Sequence, residues 1–493
     1  MQPQNLLVIM SDEHNPKMLG AAGHPLVKTQ NLDRLAARGT RFDRAYTNCP
    51  ICVPARASFA TGRYVHDIEY WDNSIAYDGR IESWGHKLQA KGIRCDSIGK
   101  LHYRLEADPT GFDKQHIPMH IKDGVGMIHL SIRKQFPDFT PPPKKRGSGA
   151  ASVVLDAGRG ESEYTRYDRQ VAQMASTWIH DAAARKDPWV LFVSFVTPHY
   201  PLIAPDEFFD LYPVDEMPMQ KFDHHTDYEH HPWMANYVHN NARGDATDDQ
   251  HRTAFAAYLG LCSFMDAMVG QVLSALETSG ANPNTRVLYT SDHGDNAGAR
   301  GFWGKSNHYE EASGVPLIVA GADIPSGKTS CTPASLIDFY PTIIEAAGAA
   351  NGHTGTTPGR SLIELANADD DTDRIAFSEY HAAGSPSGSF MIRKGRYKYI
   401  YYVGFEPELF DLETDPEETS NLAEHPDYTE VLREYDADLR NILDPEEVDA
   451  QANAAQKELI EAAGGPEAVM ANLVTTKHYT PVPDEIDAEL QKS

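Results

Sequence analysis

Cysteine is scarce in this chain: five residues in 493, at Cys49, Cys52, Cys95, Cys262 and Cys331. An odd number scattered so widely argues against a disulfide framework. Basic charge is also in short supply, with 44 Lys and Arg against 71 Asp and Glu and a formal net charge of -27. Such an acidic chain repels nucleic acid and anionic membranes, so neither is an expected partner, and any anion site must be built from local positive charge. Long apolar runs are missing too: no stretch reads as long and apolar enough to span a bilayer. The N-terminus lacks the basic n-region of a signal peptide, and its apolar run stops at Ser11-Asp12, so the expected compartment is the cytoplasm.

The length suits a large domain plus a smaller one. Asn5–Met10, Trp189–Val196, Arg286–Thr290 and Pro316–Ala320 are short apolar runs of the kind that form buried parallel strands. Asn31–Arg38 and Ala254–Leu276 carry apolar residues at helical spacing. Strands alternating with helices predict an α/β fold with a large, mainly parallel sheet flanked by helices. Sites in such folds form beyond the carboxyl ends of strands. Asp12, Thr197-Pro198-His199 and Ser291-Asp292-His293 fall just past strand ends.

From about Ala376 the texture changes. Phe390–Ile392, Tyr397–Val403 and Glu408–Leu412 predict a small antiparallel sheet, with a helix over Glu430–Leu443 packed on it. The expected division is a main domain over residues 1–375, an antiparallel-sheet subdomain over 376–444 and a tail over 445–493. The tail reads as a polar helix, a break at Gly464-Gly465-Pro466 and an extended stretch Tyr479–Pro483. Such a tail, whose prolines keep it out of a central strand, is either loose and solvated or docked on another surface. Pro141–Arg146 opens a Pro/Gly/Ser-rich surface segment. Lys221–Arg252 reads as a polar lid or loop, whose pairs His224-His225 and His230-His231 lack regular metal-ligand spacing.

The sharpest motif is Cys52-Val53-Pro54-Ala55-Arg56, running on through Ala57-Ser58-Phe59-Ala60-Thr61-Gly62-Arg63. A cysteine at the start of a helix sits where backbone N–H groups favour an anion, and Arg56, one turn on, can project toward the same spot. The spacing Cys49-Pro-Ile-Cys52 matches a redox motif, but the longer run makes coincidence the better reading. This run resembles the signature of the type I sulfatases of the alkaline phosphatase superfamily, Cys-x-Pro-x-Arg leading to Thr-Gly-Arg. Further elements resemble that family in its own order. They are Gly99-Lys100-Leu101-His102, Thr197-Pro198-His199-Tyr200-Pro201, Ser291-Asp292-His293-Gly294-Asp295, Gly304-Lys305 with Tyr309-Glu310-Glu311, and Leu409-Phe410-Asp411-Leu412 with Asn421-Leu422-Ala423.

The resemblance implies a sulfatase that hydrolyses small sulfate monoesters to alcohol and sulfate through a covalent intermediate on formylglycine. A formylglycine-generating enzyme, the expected maturation partner, would make that residue from Cys52. One divalent cation is implied, on Asp12, residue 52, Asp292 and His293, with Glu13 as the least certain ligand. Two positions depart from the common pattern. Glu13 stands where many members have aspartate, and His293 where many have asparagine. The histidine resembles the choline sulfatases and phosphonate monoester hydrolases and favours manganese, whereas the wider family mostly uses calcium. Arg56, Lys100 and Lys305 are then expected to hold the sulfuryl oxygens, His199 to protonate the leaving alcohol and His102 to act as base in the second half of the reaction. Asn73 aligns with a substrate-binding asparagine of those two subgroups, or is a turn residue. The same resemblance implies a homo-oligomer in which the tail over 445–493 is an oligomerisation arm docked on a neighbouring subunit.

Two rival readings stand beside this one. A phosphonate monoester or phosphodiester hydrolase would use the same site, and a non-catalytic anion binder would keep Cys52 unmodified. The presence of both His102 and His199 speaks against the second.

Overall fold

Every residue of β1 (Asn5–Asp12) is buried, and its side chains divide by alternation. Leu6, Val8 and Met10 enter one hydrophobic cluster, Leu7 and Ile9 another. A strand covered on both faces belongs inside a parallel sheet. The protein is described from a computed structural model covering residues 4–133, 135–136, 138–139, 150–185, 187–219, 221–222, 228–234, 246–349, 357–382, 385–472 and 480–483.

The elements that build the main domain are, in chain order, α1 (Gln30–Ala37), β2 (Gly39–Phe42), α2 (Cys52–Thr61), β3 (Arg94–Lys100), β4 (Lys114–Met119), α3 (Glu163–Ala183), β5 (Trp189–Pro198), α4 (Asp248–Thr278), β6 (Thr285–Ser291), β7 (Leu317–Ala320) and β8 (Lys328–Ser330). They form an eight-stranded sheet in the order β8-β2-β7-β6-β1-β5-β3-β4. All neighbours are parallel except β7, which runs antiparallel to both β6 and β2. Helices α1, α3 and α4 share the cluster on one face, and α2 the cluster on the other. The expected α/β class with a mainly parallel sheet is what the chain adopts.

Two sequence expectations need correction here. Helix α4 begins at Asp248, with Thr247 and Gln250 in a capping box, so the last part of the predicted polar loop 221–252 is helical. The same helix is long and apolar enough, by composition, to cross a membrane, contrary to the expectation that no stretch is. It passes that test because it is a core helix: 78% of its most apolar window is buried within the fold. Of the histidine pairs, His224-His225 lies outside the described residues, as does the proline run 141–146. His230 packs against Phe302, and His231 Nε2 bonds the Glu406 carbonyl.

The strands β9 (Ala376–Tyr380), β10 (Ser389–Lys394), β11 (Tyr397–Tyr402) and β12 (Glu408–Asp411) make an antiparallel sheet in that order, with α5 (Thr429–Ile442) packed on β10 and β11. Its core also takes in Cys49, Ile51 and Trp71, so it buttresses the segments on either side of α2. Helix α6 (Pro445–Ala462) buries Val448, Ala452, Gln456 and Ile460. Gln456 donates to Asp72 Oδ2 at 2.8 Å and to the His381 carbonyl at 2.7 Å, while Arg133 reaches both Gln456 and Asp449. This part of the tail therefore docks on its own chain.

A buried carboxylate between two histidines ties the segment after α2 to the small sheet. His66 Nδ1 lies 2.9 Å from Glu379 Oε1, and His381 Nε2 lies 3.0 Å from Glu379 Oε2. Burial would lower the His66 imidazole, but Glu379 raises it above its ordinary 6.5; burial would raise Glu379, but His66 and His381 bring it from 4.5 to about 2. The histidine's contribution to stability is present below pH 6.5 and lost as pH rises through the raised value. The carboxylate's is present above pH 4.5 and lost as pH falls toward 2. Glu379→Gln is expected to cost about 1–3 kcal/mol in the window where both act, with a smaller loss on either side, read by urea unfolding across pH. A loss that does not vary with pH would show that the side chain acts through packing alone.

Candidate active site at the carboxyl edge of the sheet

Adjacent parallel strands deliver the polar residues to one place. Asp12 ends β1. Asp292 and His293 follow its neighbour β6, His199 follows its other neighbour β5, and Lys100 ends β3, with His102 two residues on. Gly99 lets β3 approach β5 here: a Cβ on it would stand 2.1 Å from the Ser194 carbonyl oxygen. Helix α2 points its first turn at the same spot. All ten of its residues are buried, which three alanines make possible, and Gly62 closes it with φ 66° and its N–H on the Ser58 carbonyl.

Cys52 Sγ lies 3.1 Å from His293 Nε2 and 3.8 Å from Asp12 Oδ1. His293 Nε2 is in turn 3.6 Å from Asp292 Oδ1 and 3.9 Å from Asp12 Oδ1. The His293 Nδ1–H donates to the Gly294 carbonyl at 3.0 Å, so the Nε2 lone pair faces inward. One donor atom from each of Asp12, Cys52, Asp292 and His293 lies within 4.8 Å of the others. Two carboxylates and an imidazole, buried and convergent, fit a divalent cation. Burial, then Asp12, push the Cys52 thiol up to about 11, so an unmodified thiol stays protonated near neutral pH.

Cations surround these ligands. Lys100 Nζ is 2.6 Å from Asp12 Oδ2. Burial alone would raise the Asp12 carboxyl, but Lys100, His199, Arg56 and Lys305 hold it well below the usual carboxylate range. Arg56 donates to Asp292 Oδ2 at 2.8 Å, Asp12 Oδ2 at 3.2 Å, the Lys100 carbonyl at 2.8 Å and Ser194 Oγ at 3.0 Å. Its guanidinium is thus committed to orienting the two carboxylates, where the sequence suggested direct contact with an incoming oxyanion. Glu13 is in a left-handed conformation, with φ 69°. Its Oε2 meets Lys305 Nζ at 2.9 Å and His199 Nε2 at 3.4 Å. It belongs to a second group with Asp12 and His199, outside the four donors around Cys52.

The His199 Nδ1–H donates to the Tyr200 carbonyl at 2.6 Å, which leaves Nε2 as the working nitrogen. Burial and then Lys305 hold this imidazole well below its ordinary value. Asp168, on α3, fixes the strand end that leads to it, accepting from the Val196 N–H, the Thr197 N–H and Thr197 Oγ1. Nothing in the sequence singled out Asp168, because its partners stand 28 and 29 residues away and no local motif encodes them. Asn73 Oδ1 accepts from the Val53 N–H at 3.1 Å. It thereby caps a helix whose own N-cap, Ile51, has no polar side chain, and leaves its amide nitrogen to donate elsewhere. Trp71, Trp233 and Trp303 are all buried in hydrophobic clusters.

A family model described as sulfatase matches residues 4–349, and one described as N-sulphoglucosamine sulphohydrolase, C-terminal, matches residues 298–444. The chain is 32% identical over 439 residues to a choline-sulfatase of Rhizobium meliloti (strain 1021), covering 86% of this chain and 83% of that protein. It is 27% identical to arylsulfatase K of Danio rerio, over 89% of this chain and 84% of that one. Among solved structures, the phosphonate monoester hydrolase of Agrobacterium radiobacter superposes with a TM-score of 0.70 at 23% identity, covering 92% of this chain and 96% of the other.

Proposed function

The chain belongs to the sulfatase family and is a sulfuric ester hydrolase, and from that premise we propose that it cleaves a small alkyl sulfate ester, of the choline-sulfate type, using formylglycine made from Cys52. The observation that carries this reading is the meeting of Cys52 Sγ with Asp12, Asp292 and His293 under the ammonium of Lys100, at the amino end of α2. The name of the Rhizobium meliloti relative supports the alcohol.

Formylglycine would supply a hydrated aldehyde, one hydroxyl of which, its proton passing to Asp292, is the nucleophile toward sulfur, while the other lets sulfate leave as the carbonyl re-forms. A divalent cation, calcium or in its place manganese, would be held by Asp12, Asp292 and His293 beside residue 52 and would supply charge for the nucleophile and the sulfuryl oxygens. The chain's own residues do the rest. Lys100 and Lys305 offset charge on the sulfuryl group in a site where every side chain is nearly dry. Arg56 holds the two carboxylates in place, and Asn73 offers its amide N–H to the substrate. His199 carries a proton on Nε2 only once the bound sulfate ester and Glu13 Oε2, 3.4 Å away, offset burial and Lys305; charged in that way it gives the proton to the departing alkoxide, and His102 accepts one in the second half. Cys52 is only 2% exposed, so its conversion by a formylglycine-generating enzyme must come before the chain closes around it. Its five cysteines are free, which suits a reducing compartment, and we place the protein in the cytoplasm.

The test is mass analysis of the peptide spanning residue 52, from protein made together with a generating enzyme. The expected product has oxygen in place of sulfur and two hydrogens fewer. Intact cysteine in fully active protein would overturn the proposal. A second reading, hydrolysis of phosphonate monoesters or phosphodiesters at the same site, is favoured by His293 and decided by comparing kcat/KM on aryl sulfate and aryl phosphonate esters.

The role given to His199 makes its own prediction. A phenol that leaves as a stable anion needs little protonation, and an alkyl alcohol needs much. His199→Ala is therefore expected to slow alkyl sulfates by about 10²–10⁴-fold and strongly activated aryl sulfates far less. Equal losses on both would assign the residue to sulfate binding.

A further inference from the structure

His102 stands at a bend where φ is 58° and its N–H is held by the Met119 carbonyl at 2.8 Å. The ring is 3% exposed, and its Nδ1 meets no hydrogen-bonding partner among the described residues. Its Nε2 lies 3.0 Å from Oγ1 of Thr480, 378 residues further along the chain. Thr480 is itself fixed. It is 3% exposed, and its carbonyl accepts from Tyr164 Oη at 2.8 Å. Two residues on, Val482 is buried in the same hydrophobic cluster as Tyr164 and Val196, between two prolines that restrict the backbone. Tyr164 also meets the ring of His199 edge-on, with centroids 6.0 Å apart. The segment 480–483 thus passes between elements that carry both histidines of the site.

An imidazole has a broad, soft torsion about its second side-chain bond. A ring with one hydrogen bond takes its orientation from that bond. We propose that Thr480 is a positioning residue for His102, its hydroxyl fixing the ring orientation that proton transfer requires. The C-terminal segment is by this assignment a wall of the active site. The inference rests on His102 acting in turnover, as set out above.

The experiment uses the full chain, with ring-¹⁵N-labelled histidine, in five forms: wild type, Thr480→Val, Thr480→Ser, the double variant Thr480→Val/His102→Gln, and His102→Gln. The last identifies the His102 signals. Thr480→Val, close to threonine in shape, is expected to shift the ring nitrogens of His102 and to lower kcat by about 10–100-fold with KM little changed. Thr480→Ser keeps the hydroxyl and is expected to restore both. Combined with His102→Gln, the valine should cost almost nothing more, because its effect passes through that ring. Unshifted His102 signals in Thr480→Val, an equal loss in both backgrounds, or faster turnover without the hydroxyl each overturn the proposal. Full turnover in His102→Gln would instead remove the role given to His102, and the nitrogen shifts would still decide whether Thr480 holds its ring.

Discussion

Cys52→Ala is expected to lower turnover by roughly 10⁵-fold or more, the scale on which loss of a covalent nucleophile acts in enzymes whose groups work as a unit. The loss should come without unfolding. Cys52 is one buried side chain in a ten-residue helix otherwise held by Val53, Ala55, Phe59 and Ala60, and alanine is a good helix former. The thiol's neighbours are polar: His293 Nε2 at 3.1 Å and Asp12 Oδ1 at 3.8 Å. Truncation therefore opens space beside charged groups and leaves the hydrophobic packing of α2 nearly intact. The measurement is steady-state turnover on an alkyl sulfate, with circular dichroism and thermal unfolding run beside it. Substantial activity in the alanine variant would mean that residue 52 is not the nucleophile, whatever its modification.

Loss of Asp292 is expected to act nearly as strongly, and by two routes. It removes one of the carboxylates around Cys52, and it frees the Arg56 Nε–H that it accepts at 2.8 Å. Arg56 is 1% exposed, so a neutral residue at 292 leaves a buried guanidinium with Asp12 as its remaining ion-pair partner. Leaving a buried charge short of its partner costs about 3–5 kcal/mol of stability. Loss of the site's charge stabilisation should lower turnover by about 10²–10⁴-fold. His293→Ala removes one of the donor groups around Cys52 without removing a partner of Arg56, so it should match Asp292→Asn in lost turnover but not in lost stability. Three readings check this: divalent metal content per chain, turnover after chelation and after return of calcium or manganese, and urea unfolding of both variants. Wild type stripped of metal should lose activity and regain it, while neither variant should be rescued. A metal-free wild type at full activity would end the metal assignment.

The features legible from sequence are those whose physics is local. A run such as Asn5–Met10 is apolar at consecutive positions, and only a strand covered on both faces can bury them all. The same reasoning places Asp12, His199 and Asp292 past strand ends, and the fold brings those ends together because β5, β1 and β6 are neighbours. The motif at Cys52 likewise encodes its own helix: it holds the cysteine at the first turn and Arg56 one turn on. Composition leaves the place of α4 open, since a core helix and a membrane helix share it; burial within the fold decides.

What only the tertiary structure decided is where each polar group turns once it has arrived. Whether Arg56 reaches an incoming anion or the carboxylates of Asp12 and Asp292 depends on β1 and β6, the latter more than 200 residues away. Glu13 follows Asp12 in sequence, yet its backbone conformation swings it to Lys305 and His199. Asp72 is held by Gln456, and His102 by Thr480, each across more than 370 residues. Periodicity and spacing record which face of an element is apolar. They carry no record of which distant hydroxyl or amide satisfies a buried polar group, because that choice is made by packing, after the elements have formed.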